Sequence, residues 1–417
     1  MSQHFPRWCP TGMSISGPGS EVTVVGGGLA GLVAAITAAE SGTSARLLEA
    51  HSQLGGRARS SSGPYVANDG PHVIYGDGAT WAWLRARGLH RPYRLLPAAG
   101  GTRIRFRLDG RLRALPPTGL VRLLARRNRS APVDLDFHSW VAASNGQRVA
   151  DVASAAAGVV TFTVDPGQLS AAFVWERLLR ATNALGGPRY VAEGWGGLVR
   201  RLAERARELG VVVETDSRLD RVPTGPVVVA TSLAAARGLL GRPLETPATS
   251  GRTVLLDVGV RRQRGDAFIV SDLDGSGWVE QFSLADPGLA PAGHSLFQVQ
   301  LPVRGGEPGS AATERARDLL DLAAPGWRER VTWQRHSVAT ARSGALDLPG
   351  HTWRDRPAVD QGDGVYLAGD EVAAPGLLGE VSVNSAVAAA RAAVATARQG
   401  RPALSDLHPG MQAVGRS

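Results

Sequence analysis

The apolar and polar positions near the start of the chain follow first a strand pattern and then a helix pattern. Val22 to Val25 form an apolar run that predicts a buried strand, and Leu29 to Glu40 predict an alanine-rich helix that ends at Gly42. The segment ARLLEA predicts a second strand. A strand, a helix and a strand within about 30 residues predict a βαβ unit and therefore a parallel sheet.

The middle of the chain has shorter, alternating patterns. TRIRFRLDGRLRAL predicts a hairpin, because Asp109-Gly110 is a strong two-residue turn pair. TVLLDVGV, GWVEQFSL, SLFQVQLP and RVTWQRHSVA predict strands, SAATERARDLLDLAA predicts an amphipathic helix, and PVVVATS predicts a further buried strand. YVAEG predicts a loop before another amphipathic helix. A half-buried antiparallel sheet with helices on one side is the simplest fold for most of this region.

Length and composition indicate an ordinary globular protein. A chain of 417 residues has room for about two to three domains, and its 43% hydrophobic and 20% charged residues are typical of soluble proteins. No apolar run approaches about 18 residues, so no transmembrane helix is expected. The first 20 residues are rich in Ser, Gly and Pro and lack a signal-peptide core, and we expect them to be a disordered tail.

Cysteine and lysine usage excludes several kinds of chemistry. Cys9 is the only cysteine, so no intramolecular disulfide and no cysteine-based metal site can form, and no metal site is predicted; a cytoplasmic protein is expected. The net charge is +9, but the chain contains no lysine, which rules out a lysine Schiff base. The arginines are not clustered with aromatic residues, and we predict no nucleic-acid binding.

The glycines after the first strand predict a dinucleotide site. Gly26, Gly28 and Gly31 form G-x-G-x-x-G between a strand and a helix, where glycines permit a tight turn, close approach of a pyrophosphate, and helix–strand packing. Glu49 stands about 20 residues further on, where an acid accepts hydrogen bonds from ribose hydroxyls. We expect Glu49 to serve the ligand, so that its replacement leaves the fold intact.

A second glycine pair favours FAD over NAD. With Gly55-Gly56-Arg57, the N-terminal stretch resembles the FAD-binding fingerprint of the flavin amine oxidase and phytoene desaturase superfamily. The resemblance implies that the backbone of this segment and the side chain of Arg57 contact the FAD pyrophosphate. It also implies an α/β protein with a Rossmann-like FAD-binding domain and an inserted α+β substrate domain that contains an antiparallel sheet.

The segment GVYLAGDEVAAPGLLGEVSVNSAVAAARAAVA, from Gly364 to Ala395, resembles the C-terminal FAD motif of the same superfamily. The resemblance implies that Asp370 contacts the ribityl and pyrophosphate portion of FAD. It further implies that the backbone around Val381 and Ser382 donates to flavin O2 and N1. Helix capping or packing is the alternative role for Glu380 and Ser385 within this segment.

The segment NDGPHVIYGD, from Asn68 to Asp77, resembles the part of desaturase-like members that passes the isoalloxazine ring. The resemblance places Gly70 and Pro71 near the ring and His72 beside it, so His72 is the first candidate for acid–base chemistry. A loop histidine bonded to backbone is the alternative. Tyr75 and His336 are further candidates.

The resemblance extends from about residue 21 to 400. It implies FAD-binding segments at 21–94, 187–245 and 355–400, substrate-binding segments at 95–186 and 246–354, and tails at 1–20 and 401–417. It places Leu219 in a strand whose backbone contacts adenine. The cofactor-binding residues that it implies are Gly26, Gly28, Leu29, Ala30, Gly31, Glu49, Ala50, Gly55, Gly56, Arg57, Gly70, Pro71, His72, Leu219, Gly369, Asp370, Leu378, Val381 and Ser382.

The implied function is that of an FAD-dependent oxidoreductase that moves hydride from a substrate carbon to flavin N5, with FAD bound non-covalently. NDGPH and the absence of lysine favour the desaturase-like side and a small, lipophilic or secondary-metabolite substrate of biosynthesis. The alternatives are an amine or amino-acid oxidase, a redox-neutral isomerase or dehydroxylase, and a non-catalytic FAD-binding partner subunit.

No second G-x-G-x-x-G follows a strand, so no NADPH domain is expected and the electron acceptor would be O2, a quinone or another protein. The segment LPPTGLVRLLARRNR mixes apolar residues with arginine and could lie at a membrane surface, although a surface helix or lid is the commoner use of such a pattern. We expect at most peripheral membrane association. The oligomeric state is left open.

Overall fold

A computed structural model of the protein describes residues 21–70, 73–183 and 186–399. The predicted tails at 1–20 and 401–417 lie outside the described residues. The strands are β1 Glu21–Val25, β2 Ser44–Leu48, β3 Val73–Tyr75, β4 Tyr93–Arg94, β5 Ile104–Leu108, β6 Arg111–Arg113, β7 Pro188–Val191, β8 Val212–Glu214, β9 Val227–Val229, β10 Ala248–Thr249, β11 Arg252–Arg261, β12 Ile269–Asp272, β13 Trp278–Glu280, β14 His294–Pro302, β15 Val331–Thr340, β16 Ala345–Leu346 and β17 Val365–Leu367. The helices are α1 Leu29–Glu40, α2 Ala79–Ala86, α3 Thr118–Ala125, α4 Phe137–Asn145, α5 Gln147–Ala156, α6 Gly158–Thr161, α7 Ala171–Ala181, α8 Gly194–Glu208, α9 Leu233–Leu240, α10 Phe282–Ala285, α11 Gly309–Ala323, α12 Trp327–Arg330 and α13 Gly379–Gln399.

A five-stranded parallel sheet joins the two ends of the chain. Its strand order is β17-β9-β1-β2-β8, and all four pairings are parallel. The helices α1, α8 and α13 share one apolar core with this sheet, in which Leu32, Ile36, Leu202 and Ala390 are buried. The alanine-rich sequences of α1 and α13 let these helices pack closely. The predicted Rossmann-like α/β fold is confirmed.

A seven-stranded sheet forms the second layer, in the order β15-β11-β14-β13-β12-β5-β6. The predicted hairpin is present as β5 and β6, with Asp109-Gly110 between them. All of its pairings are antiparallel except that of β12 with β5. These two strands lie far apart in the chain, so no hairpin turn forces them to run in opposite directions.

The central strands β11 and β14 of this sheet are buried on both faces, whereas the edge strand β15 exposes alternate residues, so the expectation of a half-buried sheet fits only the edge. One face packs on α11 through apolar residues such as Leu256, Phe297 and Leu320. The other face carries polar residues that are almost fully buried, among them Asp257 and Gln298. The polar face is covered by the segment that contains Ala67 and Asn68. The backbone carbonyls of these two residues accept hydrogen bonds from Gln298 and Arg335.

Three local predictions differ from the structure. The YVAEG segment begins inside β7, which pairs with β3 and β4 on its two sides, so tertiary pairing decides its conformation. The GWVEQFSL segment leaves the sheet after Glu280 and continues as α10. Leu219 was expected in a strand, but β8 ends at Glu214, and Leu219 packs half-buried against the apolar cluster that contains Val227 and Leu367.

A helical region, formed mainly by α3 to α7, has its own apolar core. The arginine-containing segment that could lie at a membrane surface forms α3, and its Leu120 and Leu123 are buried in this core. Val121, on the same helix, is 48% exposed. Among the helices of the described residues, none combines the length and the apolar composition that crossing a membrane requires.

We expect Gly31→Ala to destabilise the protein, because a Cβ at Gly31 would lie 1.8 Å from the Gly26 carbonyl oxygen. Overpacking of this kind costs about 1–3 kcal/mol. Gly238→Ala in α9 is the matched control, since its Cβ would meet nothing within 4 Å and alanine favours a helix by up to about 1 kcal/mol. Thermal unfolding midpoints measure both changes; an unchanged midpoint for Gly31→Ala would contradict the proposed close packing.

Candidate functional site

The turn between β1 and α1 has the geometry of a phosphate-binding loop. Gly26 has a φ of +105°, and a Cβ there would lie 2.6 Å from the carbonyl oxygen of Ala230. A Cβ on Gly28, in contrast, would meet nothing nearer than 3.9 Å, so the space beside it is open to a ligand. Gly28 is the N-cap of α1 and has no side chain to cap it. The first-turn N–H groups of α1 can therefore donate hydrogen bonds to an anion.

Glu49 is fixed beside this loop by hydrogen bonds from the protein itself. Its Oε2 accepts from the backbone N–H of Gly27 at 2.7 Å, and its Oε1 accepts from the backbone N–H of His51 at 2.9 Å and lies 2.8 Å from His51 Nδ1. Burial raises the pKa of Glu49, but these hydrogen bonds outweigh burial and leave the pKa below its usual value. Glu49 thus also holds the glycine loop, a structural role beyond the predicted role toward the ligand.

The second glycine pair runs alongside the first. Gly55 forms a parallel bridge with Gly28, and its N–H donates to the Gly27 carbonyl at 2.8 Å. Arg57 donates to the Ala341 carbonyl at 3.0 Å and to the carboxylate of Asp370. The negative charge of Asp370 raises the pKa of Arg57. Two motifs that are 313 residues apart in sequence therefore meet through one ion pair.

The C-terminal motif brings the start of α13 to the same place. The Ser385 hydroxyl accepts from the Gly369 N–H at 2.9 Å and donates to the Val381 carbonyl at 2.7 Å. This contact ties the first turns of α13 to the residue before Asp370, so Ser385 has the packing role that was the alternative. Leu378, just before α13, has a φ of +52°, an unusual conformation for a bulky residue.

Glu380 also belongs to a fixed ionic network at the start of α13. It accepts from Arg180 at 2.6 Å and from the N–H of Leu377 at 3.2 Å, and Arg180 pairs with Asp77 at 2.9 Å. A Cβ on Gly78 would lie 1.6 Å from the Glu380 carboxylate. Because Gly78 has no Cβ, the Glu380 carboxylate can lie against the start of α2.

The segment before Gly70 is held by three side chains from three neighbouring strands of the seven-stranded sheet. Asp257 on β11 is in register with Gln298 on β14 and with Arg335 on β15. Gln298 donates to the Asp257 carboxylate at 2.7 Å and to the Asn68 carbonyl at 2.8 Å. Arg335 donates to Asp257 at 2.8 Å and to the Asn68 carbonyl at 3.1 Å. We call Asp257, Gln298 and Arg335 the cross-strand triad.

Burial raises the pKa of two carboxyl groups on this face of the sheet. Burial raises the pKa of Asp257 to about 6, although Arg335 and Gln298 act in the opposite direction. On the next strand, β13, Glu280 is in register with Gln298 of the triad. Its carboxylate accepts from the Tyr190 hydroxyl at 2.5 Å and from the Trp278 ring N–H at 3.0 Å. Burial raises the pKa of Glu280 to about 7.

Asn68 is also tied to the parallel-sheet side of the molecule. Its Oδ1 accepts from the N–H of Trp195, at the start of α8, at 2.8 Å and from the Ser60 hydroxyl at 2.6 Å. A Cβ on Gly194 would lie 2.5 Å from this oxygen, and Gly194 has a φ of +66°. The residues that lead into Gly70 are therefore clamped between the two sheets.

The three acid–base candidates have different outcomes. His72, together with Pro71, lies outside the described residues, so its predicted role stays a prediction. Tyr75 is buried, and burial raises its pKa to about 12, so that near neutral pH it keeps its proton and does not act as a phenolate base. His336 is exposed on β15, where its side chain points to the opposite face from that of its neighbour Arg335. That placement speaks against a role for His336 beside Gly70.

Several further predicted residues lie directly after β1 and β2 or in the first turn of α13. Leu29 and Ala30 form the first turn of α1, Ala50 follows Glu49, and Ser382 lies in the first turn of α13. Sequence reasoning missed His51 and the cross-strand triad. The available signal was a single aspartate within the apolar TVLLDVGV strand, at an inward-facing position.

Comparisons with known proteins agree with this architecture. Residues 24–86 match the family model described as an NAD(P)-binding Rossmann-like domain. No curated protein sequence matches the chain. An oxidoreductase from Methanosarcina mazei has a similar structure, with a TM-score of 0.70, 15% identity, and coverage of 88% of this chain and 99% of that chain.

Two further solved structures share the fold. Cyclohexylamine oxidase from Brevibacterium oxydans gives a TM-score of 0.69 at 14% identity, covering 92% of this chain and 99% of that one. A reduced UDP-galactopyranose mutase gives 0.64 at 13% identity, covering 90% and 93%. The chain thus contains a Rossmann-like dinucleotide-binding domain, and the resemblance inferred from the motifs is confirmed at the level of the fold.

We expect Glu49→Gln to weaken both cofactor retention and stability, because the amide cannot accept from Gly27 and His51 as the carboxylate does. Hydrogen bonds to a charged group contribute about 1.5–3 kcal/mol each. Since the folded-state pKa of Glu49 is lowered, its contribution to stability is present above the usual glutamate pKa and is lost progressively as the pH falls from that value through the lower folded-state pKa. Unfolding midpoints at pH 7 and pH 4 should therefore differ less in the variant than in wild type.

Glu21→Gln is the matched control for this prediction. Glu21 lies on the same sheet and pairs with Arg46 at the surface, where such pairs contribute about 0–1 kcal/mol. An equal loss of stability in the two variants would refute a special role for Glu49.

We expect Asp257→Asn to loosen the segment before Gly70, because the variant leaves Arg335 without a buried counter-ion. Asp266→Asn is the matched control: Asp266 is equally buried and pairs with Arg330 at 2.9 Å in the same layer. Removing one partner of a buried pair costs on the order of 3 kcal/mol, so both variants should melt earlier. Only Asp257→Asn should speed amide hydrogen exchange at residues 66–70; similar exchange in both would contradict the clamp.

Proposed function

We propose that the protein is an FAD-dependent oxidoreductase that removes hydride from a carbon of a small, lipophilic or secondary-metabolite substrate. One observation carries this proposal: the glycine loop beside Glu49 and the segment Gly369-Asp370 lie at the same sheet edge, joined by Arg57. A site assembled from both ends of the chain suits a long ligand with a diphosphate in its middle.

The residues present fit such a cofactor. The open space beside Gly28 and the uncapped start of α1 suit the diphosphate. Glu49 retains lone pairs for ribose hydroxyls, and Asp370 is oriented by Arg57. FAD, when bound, would supply a hydride acceptor at N5. The non-covalent mode of binding is part of the proposal.

The protein's own contribution is to position the substrate and to remove a proton. The cross-strand triad fixes the backbone that leads into Gly70, next to the position where the proposed base His72 follows. At the start of α13, Glu380 is held by Arg180, whose guanidinium lies 5.4 Å from the ring of the buried Tyr75. The substrate would lose a hydride and a proton from neighbouring atoms, which leaves a double bond; O2, a quinone or a protein would take the electrons.

An amine oxidase is the second candidate, and one observation favours it. Gln298 and Gln300 point to the same face of β14, and both are almost fully buried. Each amide N–H already donates to an acceptor, so the orientation of each amide is fixed. Within the described part of the chain, neither Oε1 has a partner. Two unpaired oxygens would suit a substrate that carries N–H or O–H donors.

A flavin assay tests the proposal. We expect the purified full-length protein to be yellow and to release FAD on denaturation by acid or heat, at one FAD per chain. Anaerobic bleaching of the flavin by an isoprenoid polyene in detergent would support the desaturase-like reaction, and bleaching by cyclohexylamine would support the amine oxidase. A colourless protein that binds NAD would overturn the assignment.

A further inference from the structure

Arg342 lies in a tightly packed connection between β15 and β16. The preceding residue, Ala341, accepts a hydrogen bond from Arg57, and the next residue, Ser343, donates to the Thr161 carbonyl at 2.8 Å. Gly344 has a φ of +73°, and a Cβ there would lie 2.7 Å from Asp370. The connection is therefore fixed against the place where the two cofactor motifs meet, and the position of Arg342 is fixed with it.

The guanidinium of Arg342 has no hydrogen-bond partner among the described residues. Its side chain is half-buried, and its Nε is completely buried. A buried N–H of a charged group without an acceptor is costly, and natural proteins rarely leave one unpaired.

The charges around Arg342 increase this cost. Asp69 attracts it, but Arg57, Arg335 and Arg59 repel it, and burial together with this repulsion lowers the pKa of Arg342. Asp69 is already paired with Arg335 at 3.3 Å.

Two further carboxylates of this region, those of Asp370 and Asp257, already form ion pairs. Asp370 is paired with Arg57, and Asp257 with Arg335. Arg59 donates to the Gly56 carbonyl at 2.6 Å. No ion pair among the described residues includes Arg342, and Asp69, the carboxylate that attracts it, is shared with Arg335.

We propose that Arg342 forms, with the positive charge of its neighbours, a subsite for an anionic oxygen group, either a phosphate or a carboxylate. The planar guanidinium offers paired donors that match the oxygens of such a group. Two sources have this chemistry: the diphosphate of the cofactor and an acidic group on the substrate. Naming the cofactor as a source rests on the proposed function, whereas the subsite itself rests on the arginine alone.

The test compares Arg342→Gln with Arg201→Gln. Arg201, on α8, is the matched control, because it is also half-buried with unpaired nitrogens but is attracted by two carboxylates, those of Glu193 and Glu204. Retention of flavin on dialysis and the melting temperature with inorganic pyrophosphate or benzoate are measured on the full chain. Without added anion, and without flavin, Arg342→Gln should melt no earlier than wild type, because repulsion is relieved.

Arg342→Gln should weaken anion binding roughly tenfold, the effect of losing one charge-assisted contact. Weaker flavin retention, or a weaker response to pyrophosphate, identifies the cofactor diphosphate as the source. Normal flavin retention with a lost benzoate response identifies a substrate carboxylate. An effect on pyrophosphate in a protein that binds no flavin would keep the subsite while ending the FAD proposal.

The proposal is overturned if Arg342→Gln matches wild type in flavin retention and in its response to both anions, or if Arg201→Gln loses as much. If Arg342→Gln does not fold, Arg342→Lys keeps the charge without the paired donors. It should then bind the anion more weakly than wild type, and unchanged binding in this variant would equally overturn the proposal.

Discussion

The parallel alignment of β1, β9 and β17 is the constraint on which the site depends. Strands that run in the same direction end at the same edge of their sheet, so the loops that follow them meet there. The glycine loop follows β1 and Asp370 follows β17, although most of the chain lies between them. The ion pair of Arg57 with Asp370 is half-exposed and adds little stability itself. It forms because the two loops meet at this edge of the sheet.

The seven-stranded sheet supplies a second, polar wall to the same region. Its apolar face packs on α11 and stabilises the layer, which leaves the opposite face free to carry Asp257, Gln298 and Arg335. Burial of these groups is tolerated because they bond to one another and to backbone carbonyls of the segment before Gly70. The parallel sheet carries the glycine loop and Asp370, the seven-stranded sheet holds the segment before Gly70, and that segment connects the two sheets.

Arginine is the sole source of positive side-chain charge other than histidine, and this shapes the electrostatics of the cleft. A guanidinium keeps its proton when buried and bonds in several directions, so one residue can pair with a carboxylate and hold a carbonyl at once, as Arg335 does. A lysine could not replace it in that geometry. The same property leaves Arg342 charged in a place where no carboxylate of the described residues forms an ion pair with it.

The sequence alone predicted the Rossmann-like unit, the role of the glycines and the positions of Glu49, Arg57 and Asp370. These could be predicted because a tight turn or a close backbone approach demands glycine locally, and such demands form contiguous motifs. Only the tertiary structure decided the cross-strand triad and the setting of Arg342. Their partners are single polar residues in separate strands, and a shift of one residue in the register would turn each of them to the other face. The contacts of these residues therefore depend on the pairing of strands that are distant in sequence, which no local sequence pattern predicts.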